Sequence, residues 1–347
     1  MPHRLCLLGA ATAAALDASM PARLRAVLQQ PQISVMPCCY DGVTARLVER
    51  AGFELTFMTG FGVAAARGYA DAGLLSFGEM QDSARMIASA LKAIPFFADG
   101  DTGYGNAVNC KRTVRGYAQV GAAGVMIEDQ VSPKRCGHTG VKAVVPRDEA
   151  VARVRAACDA RDEHGGGLVV IARTDANACL GFDEALDRCR RFREAGADVT
   201  FLEAPTSVAQ MEAYCRAVDG WKLANMLEGG LTPVLPPADL EAMGYTIAAY
   251  PLTLLSASTR TSLEALARLG RGASTEDLLL PFGELCDVVG FTEYNAEAAR
   301  YDNVTYLSLF MAAYRALAVT GLNHATVADN DGTSMVARCV AQYRFTS

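Results

Sequence analysis

The chain has 347 residues, 51% of them hydrophobic and 20% charged, with a formal net charge of −6. That makeup excludes disordered and fibrous architectures and suits one large α/β domain or two smaller ones. Lys and Arg are scattered with no basic excess, so a nucleic-acid partner is not expected, and no apolar run reaches the roughly 18 residues of a membrane span.

The first 16 residues, MPHRLCLLGAATAAAL, place Arg4 before an alanine-rich apolar stretch. They fit either a targeting segment or a frayed leader, and Met20 opens a second plausible start. Cytoplasm is the default expectation. The 11 cysteines run from Cys6 to Cys339 without a CxxC pair, which reads as reduced thiols rather than a disulfide framework.

From there the chain alternates short apolar runs with helically periodic segments. Strands are predicted at 33–39, 55–59, 95–99, 124–128, 168–173, 199–203, 222–227 and 245–250. Helices follow, among them 44–52, 78–91, 184–196 and 262–270. AGFELTFM at 51, VGAAGVMIED at 120, AGADVTFLEA at 195 and MGYTIAAY at 243 share one grammar. A glycine ends each helix, and a strand buried on both faces begins soon after. Eight such units predict an α/β fold, a closed (β/α)8 barrel of the TIM type, with a doubly wound open sheet as the alternative. Beyond residue 270 the pattern changes: 281–301 and 304–319 read as further helices and 328–335 as a loop. The expected organisation is a leader at 1–21, a barrel at 22–270 and a C-terminal helical appendage at 271–347.

In a parallel barrel the carboxyl ends of the strands meet at one mouth, so polar residues there are candidates for chemistry. The third run ends in Asp99 and Asp101, the fourth in Glu128 and Asp129, the fifth in Arg173 and Asp175, the sixth in Glu203, and the seventh in Asn225 and Glu228. Burying several carboxylates together is costly unless a cation joins them. Oxygen donors without His or Cys at ligand spacing favour Mg²⁺, or Mn²⁺, over zinc. Asp99 and Asp101, two apart, would share a face on a regular strand. The plainer reading makes such acids helix caps or arginine partners.

Two loops stand out. QVSPKRCGHTGVKAVVP sets Lys134 and Arg135 beside Cys136 with His138 near, an environment that lowers a thiol's pKa and suits proton transfer. MTGFGVAAARG fits GxGxxA after a strand, which raises a nucleotide reading, although backbone N–H groups there could equally hold a carboxylate. His3, His164 and His324 and the glycines at 165–167 carry no pattern that assigns them a role.

Taken together, TGFGVAA, DGDTGYGN, IEDQ, KRCGH, ARTDA, EAP, ANMLEGG and YPLT resemble the isocitrate lyase and phosphoenolpyruvate mutase superfamily. The likeness is to its short lyase branch: 2-methylisocitrate lyase, 2,3-dimethylmalate lyase and the petal-death type, over about residues 22–302. It implies a (β/α)8 barrel, often a homotetramer that exchanges C-terminal helices, acting on a small di- or tricarboxylate. It also implies that Asp99 is a direct Mg²⁺ ligand, with Asp101 and Glu128 acting through metal-bound water. Thr59, Gly60 and Phe61 would bind a substrate carboxylate, and Arg173 would contact the hydroxy-acid end. Cys136 would be the general acid, with His138 and Lys134 in the same loop. Glu203 and Asn225 would line the pocket, and Asp71 would hold an acidic gating position. KRCGH favours a C–C lyase over a phosphonate-forming mutase. Phe57 stands where methylisocitrate lyases have Tyr, and ANMLEGG is closer to the dimethylmalate and petal-death members. Residues from about 303 have no counterpart in the short members.

The expected reaction is Mg²⁺-dependent cleavage of a 2-alkylmalate, 2,3-dimethylmalate or 2-methylisocitrate to pyruvate or a related 2-oxo acid. Hydrolysis of oxaloacetate to oxalate and acetate is the alternative, and Pro251 in YPLT favours the lyase. A nucleotide-dependent oxidoreductase built on the glycine loop and a non-catalytic barrel are the more distant readings.

Overall fold

Eight short parallel strands close on themselves in sequence order in a computed structural model that describes residues 18–135, 142–165 and 167–302. They are β1 Ser34–Cys39, β2 Thr56–Met58, β3 Phe96–Asp99, β4 Gly124–Glu128, β5 Val169–Thr174, β6 Val199–Leu202, β7 Trp221–Asn225 and β8 Ile247–Tyr250. β1 completes the ring by pairing with β8, Ser34 opposite Ile247 and Pro37 opposite Tyr250. The closed barrel is therefore the fold, and the open doubly wound sheet is not.

Every strand lies within two residues of its expected bounds because the signals at its edges are strong. Gly196 and Gly244, both at φ +103°, end helices in the left-handed region before β6 and β8. Helix starts are equally local: Asp41 and Thr44 form a reciprocal capping box, as do Ser76 and Glu79, and Asn106 caps through Val108 and Asn109.

Strand alternation sorts the core into an inside and an outside. Met36, Cys38, Phe57, Phe97, Met126, Ile171, Phe201, Leu223 and Ala249 form the inner cluster, joined by Leu24 and Leu28. Those two leucines belong to helix α1, Met20–Leu28, which Ser19 caps. The chain before the first strand thus contributes to the barrel core from Met20 onward, two residues before the expected start of the barrel. On the outer face Met58, Ala98, Val125, Ile127, Val170 and Ala172 pack in one cluster with helix residues such as Ile87, Val114 and Phe192.

Two helical details differ from the expectation. The helix after β8 runs Thr253–Gly270, nine residues earlier than the apolar spacing indicated, through the Ser- and Thr-rich TLLSASTRT. The segment expected as one helix at 281–301 is two, Phe282–Val289 and Phe291–Asp302, separated by Gly290 at φ +102°. The chain divides into compact units at Met1–Pro281 and Phe282–Ser347. The expected leader up to residue 17, the helix at 304–319 and the loop at 328–335 lie outside the described residues. Among those described, no helix is long and apolar enough to cross a membrane.

Candidate active site

The strand ends deliver their polar residues to one cavity, whose wall includes Thr59, Phe61, Asp71, Asp99, Glu128, Lys134, Arg173, Glu203, Asn225 and Pro251. Asp101 joins them through Lys134, and Gly60 through Asp99. Cys136 and His138 lie outside the described residues.

Asp99 ends β3 with a hydrogen bond on each carboxylate oxygen. Oδ1 accepts from the Asp101 N–H at 3.0 Å and Oδ2 from the Gly60 N–H at 3.1 Å. Glycine lets the amide approach this closely, because a Cβ at position 60 would come 2.5 Å from Asp99 Oδ2 and displace it. Burial pushes the Asp99 carboxyl up to about 6, an effect Lys134 opposes and Asp101 and Asp71 reinforce.

Asp101 reaches the same place by a different route from the one expected. β3 has already ended, and Asp101 adopts φ +47° inside the turn DGDTGYG, so turn geometry rather than strand alternation brings the two acids together. Tyr104 Oη donates to Asp101 Oδ2 at 2.8 Å. The Lys134 ammonium bonds closely with Asp101, lies 3.0 Å from Asp71 and stands 3.9 Å from Asp99. One buried cation thus serves three carboxylates without neutralising them all.

On the facing side, Arg173 at the end of β5 plays a similar part. Its Nε and Nη2 donate to Asp175 at 2.9 and 3.1 Å, its Nε lies 3.4 Å from Glu128, and Glu203 is 4.0 Å from Nη2. The guanidinium stacks over the Phe201 ring. Asn225 Nδ2 approaches both Glu203 oxygens at 3.4–3.5 Å. Ala204, next to Glu203, sits at φ +53°, a strained position at the mouth.

Asp129 illustrates strand alternation: while Glu128 faces inward, Asp129 turns out of the barrel. It accepts from Thr174 Oγ1, the Asp175 N–H and Arg188. Glu228 accepts from Thr253 Oγ1 and is not part of the cavity wall. The glycine loop caps a short helix, Gly60–Ala66, with the Thr59 hydroxyl accepting from Gly62. With the Gly60 amide spent on Asp99, this loop lacks the open row of donors that a dinucleotide pyrophosphate needs.

Gln130, to which the sequence pattern assigned no role, also lines the cavity. Its side-chain amide accepts from the Arg135 N–H and donates to the Arg135 carbonyl, both at 2.9 Å. The only sequence signal was its place in IEDQ.

Does the site suit a hard divalent cation? Glu128 Oε1 and Asp101 Oδ1 are buried without a hydrogen-bond donor, although the second touches the Lys134 ammonium. Among the described residues, no three acidic, His or Cys side chains stand close enough to cage an ion unaided. Magnesium needs no such cage, since it keeps several waters and takes one or two carboxylates, so Asp99, Asp101 and Glu128 fit it.

The described cysteines are all free. Burial pushes Cys39 and Cys158 up to about 12 and Cys110 and Cys215 to about 11, and it also raises Cys38, which lines the cavity, well above the ordinary thiol value. None of these five is primed for proton transfer near neutral pH.

A family model described as phosphoenolpyruvate phosphomutase matches residues 24–269. The chain is 40% identical to a 2,3-dimethylmalate lyase of Eubacterium barkeri, over 78% of this chain and 93% of that protein. It is 37% identical to a chloroplastic carboxyvinyl-carboxyphosphonate phosphorylmutase of Arabidopsis thaliana, over 83% and 86%. Among solved structures, an oxaloacetate acetylhydrolase bound to 3,3-difluorooxalacetate superposes with a TM-score of 0.77 at 36% identity, covering 82% of this chain and 96% of that one.

Proposed function

The chain belongs to the phosphoenolpyruvate mutase and isocitrate lyase superfamily, and from that premise we propose that it is a Mg²⁺-dependent carbon–carbon lyase cleaving a 2-alkylmalate. The preferred substrate class is a 2-hydroxy dicarboxylate with a small alkyl group at C3, such as 2,3-dimethylmalate, which would give pyruvate and propionate. The observation that carries this reading is the pairing of a buried acidic cluster at Asp99, Asp101 and Glu128 with Arg173 across one cavity.

The reaction breaks C2–C3: the 2-hydroxyl loses its proton, C2 becomes a carbonyl, and the electron pair leaves with C3 as an enolate that is then protonated. Asp99, Asp101 and Glu128 would hold the Mg²⁺, which would supply the positive charge that favours a deprotonated 2-oxygen and offsets the carboxylates. Arg173, stacked on the Phe201 ring, orients the hydroxy-acid carboxylate. Asn225 and Glu203 line the wall beside Arg173. Phe57, together with Cys38, Met126, Leu223 and Ala249, gives the cavity an apolar floor. That floor suits an alkyl group better than a third carboxylate, which favours a dimethylmalate over a methylisocitrate. Cys136, through KRCGH, is assigned the proton transfer to the departing fragment.

The same proposal includes a homotetramer that exchanges C-terminal helices. In support, Leu263, Leu266 and Leu269 of the helix Thr253–Gly270 are 63–65% exposed.

Oxaloacetate hydrolysis is the second reading, favoured by the likeness to the acetylhydrolase structure. Pyruvate release coupled to lactate dehydrogenase, from 2,3-dimethylmalate, 2-methylmalate and 2-methylisocitrate with Mg²⁺ or with EDTA, tests the first. Metal-dependent pyruvate, fastest from an alkylmalate, is the expected result. Oxalate and acetate from oxaloacetate, with no pyruvate from any of the three, would replace it with the second.

A further inference from the structure

Asp175 is wholly buried at the end of β5 and is not part of the cavity wall, yet it holds a residue that is. Its carboxylate forms a two-bond fork with Arg173, Nε to Oδ2 at 2.9 Å and Nη2 to Oδ1 at 3.1 Å. The fork leaves Nη1 as the guanidinium nitrogen it does not engage. On the other side, Lys142 Nζ donates to Oδ1 at 2.6 Å, and the Lys142 side chain is 3% exposed. The Asp175 backbone is fixed as well, its N–H donating to Asp129, which Arg188 holds in turn.

A buried ion network of this kind is a poor device for stability alone, because apolar side chains of similar volume serve as well or better. It does define direction. Arg173 also faces Glu128 at 3.4 Å and Glu203 at 4.0 Å, and without the fork those carboxylates would compete for the guanidinium. We propose that Asp175, braced by Lys142, is a positioning residue that fixes the orientation of the Arg173 guanidinium toward the cavity. The inference rests on the reading of Arg173 as the arginine that receives the substrate carboxylate.

Three variants test it: Asp175→Asn, Lys142→Met and the double variant. Asp175→Asn alone strands the buried Lys142 ammonium and is the one at risk of not folding. The double variant restores the charge balance while removing the fork. Two quantities are read with Mg²⁺ present: steady-state constants for the alkylmalate, and the dissociation constant of oxalate, whose adjacent oxygens mimic a 2-oxo acid. The double variant is expected to raise both KM and the oxalate constant about tenfold or more, with kcat within about threefold, as when a ground-state binding contact is lost. Lys142→Met is expected to raise them less. A folded double variant with wild-type values overturns the proposal, since Asp175 would then serve only to neutralise Lys142. So does a double variant that fails to fold while Lys142→Met keeps wild-type values. Wild-type protein that binds oxalate but cleaves no alkylmalate overturns only the lyase reading, and the oxalate constants still decide the role of Asp175. Wild-type protein that binds no oxalate overturns both.

Discussion

Lys134 Nζ lies 3.0 Å from Asp71 Oδ1, joining the turn after β4 to the segment that follows the short helix Gly60–Ala66. The same ammonium serves Asp99 and Asp101, so it occupies the electrostatic place that a metal ion would share.

Removing that charge by Lys134→Met leaves the buried Asp99 and Asp101 and the half-buried Asp71 short of a counterion, a loss expected to cost on the order of 3 kcal/mol. Magnesium is then expected to raise the melting temperature of the variant more than that of the wild type. Thermal melts of both proteins in EDTA and in Mg²⁺ check this, and an equal shift in the two would separate Lys134 from the ion's surroundings.

Glu128→Gln tests the opposite case. Burial raises the Glu128 carboxyl well above its ordinary value, and Oε1 has no donor, so a neutral amide of the same shape is tolerated by the fold. The variant is expected to melt within a few degrees of the wild type in EDTA but to lose most of the Mg²⁺-induced shift, with turnover down at least about a hundredfold.

Gly60→Ala places a methyl group 2.5 Å from Asp99 Oδ2. The carboxylate has to turn away, so turnover is expected to fall about tenfold or more with the barrel intact by circular dichroism. Normal turnover in Gly60→Ala would mean that the Asp99 carboxylate need not stay on the Gly60 amide.

Asp175 carries a pH signature. Burial alone would raise its carboxyl, but Arg173 and Lys142 outweigh burial and lower it to about 2 from an ordinary 3.8. Because the folded value is depressed, the stabilisation is complete above about pH 4 and fades as pH falls toward 2, and it is on the order of 2 kcal/mol. Urea midpoints of wild type and Asp175→Asn between pH 6 and 3 should therefore differ most at the upper end and draw closer toward the lower. A gap that widens on acidification contradicts the assignment.

The strands were legible because their signals are local: a glycine that stops a helix, then a short apolar run. The start of the helix at Thr253 was not, since TLLSASTRT is rich in poor helix formers and packing of Leu254 and Leu255 against the barrel outweighs propensity there. Met20–Leu28 was hidden for a related reason, because the boundary of the alanine-rich leader cuts across it and only the burial of Leu24 and Leu28 declares it part of the barrel. At the site, residue types could be read from the strand ends, but orientation could not. Asp99 and Asp101 come together through a left-handed turn, and Asp175 takes its role from Lys142 and Asp129, partners 33 and 46 positions away. Such contacts exist only once the barrel has closed.

Cleavage between C2 and C3, with protonation of the released fragment, is tested most directly by mass spectrometry of the products from 2,3-dimethylmalate in D₂O with Mg²⁺. The expected products are unlabelled pyruvate, apart from slow exchange at its methyl group, and propionate carrying one deuterium at C2, with neither formed in EDTA. Unconsumed substrate, or cleavage that persists undiminished in EDTA, would contradict it.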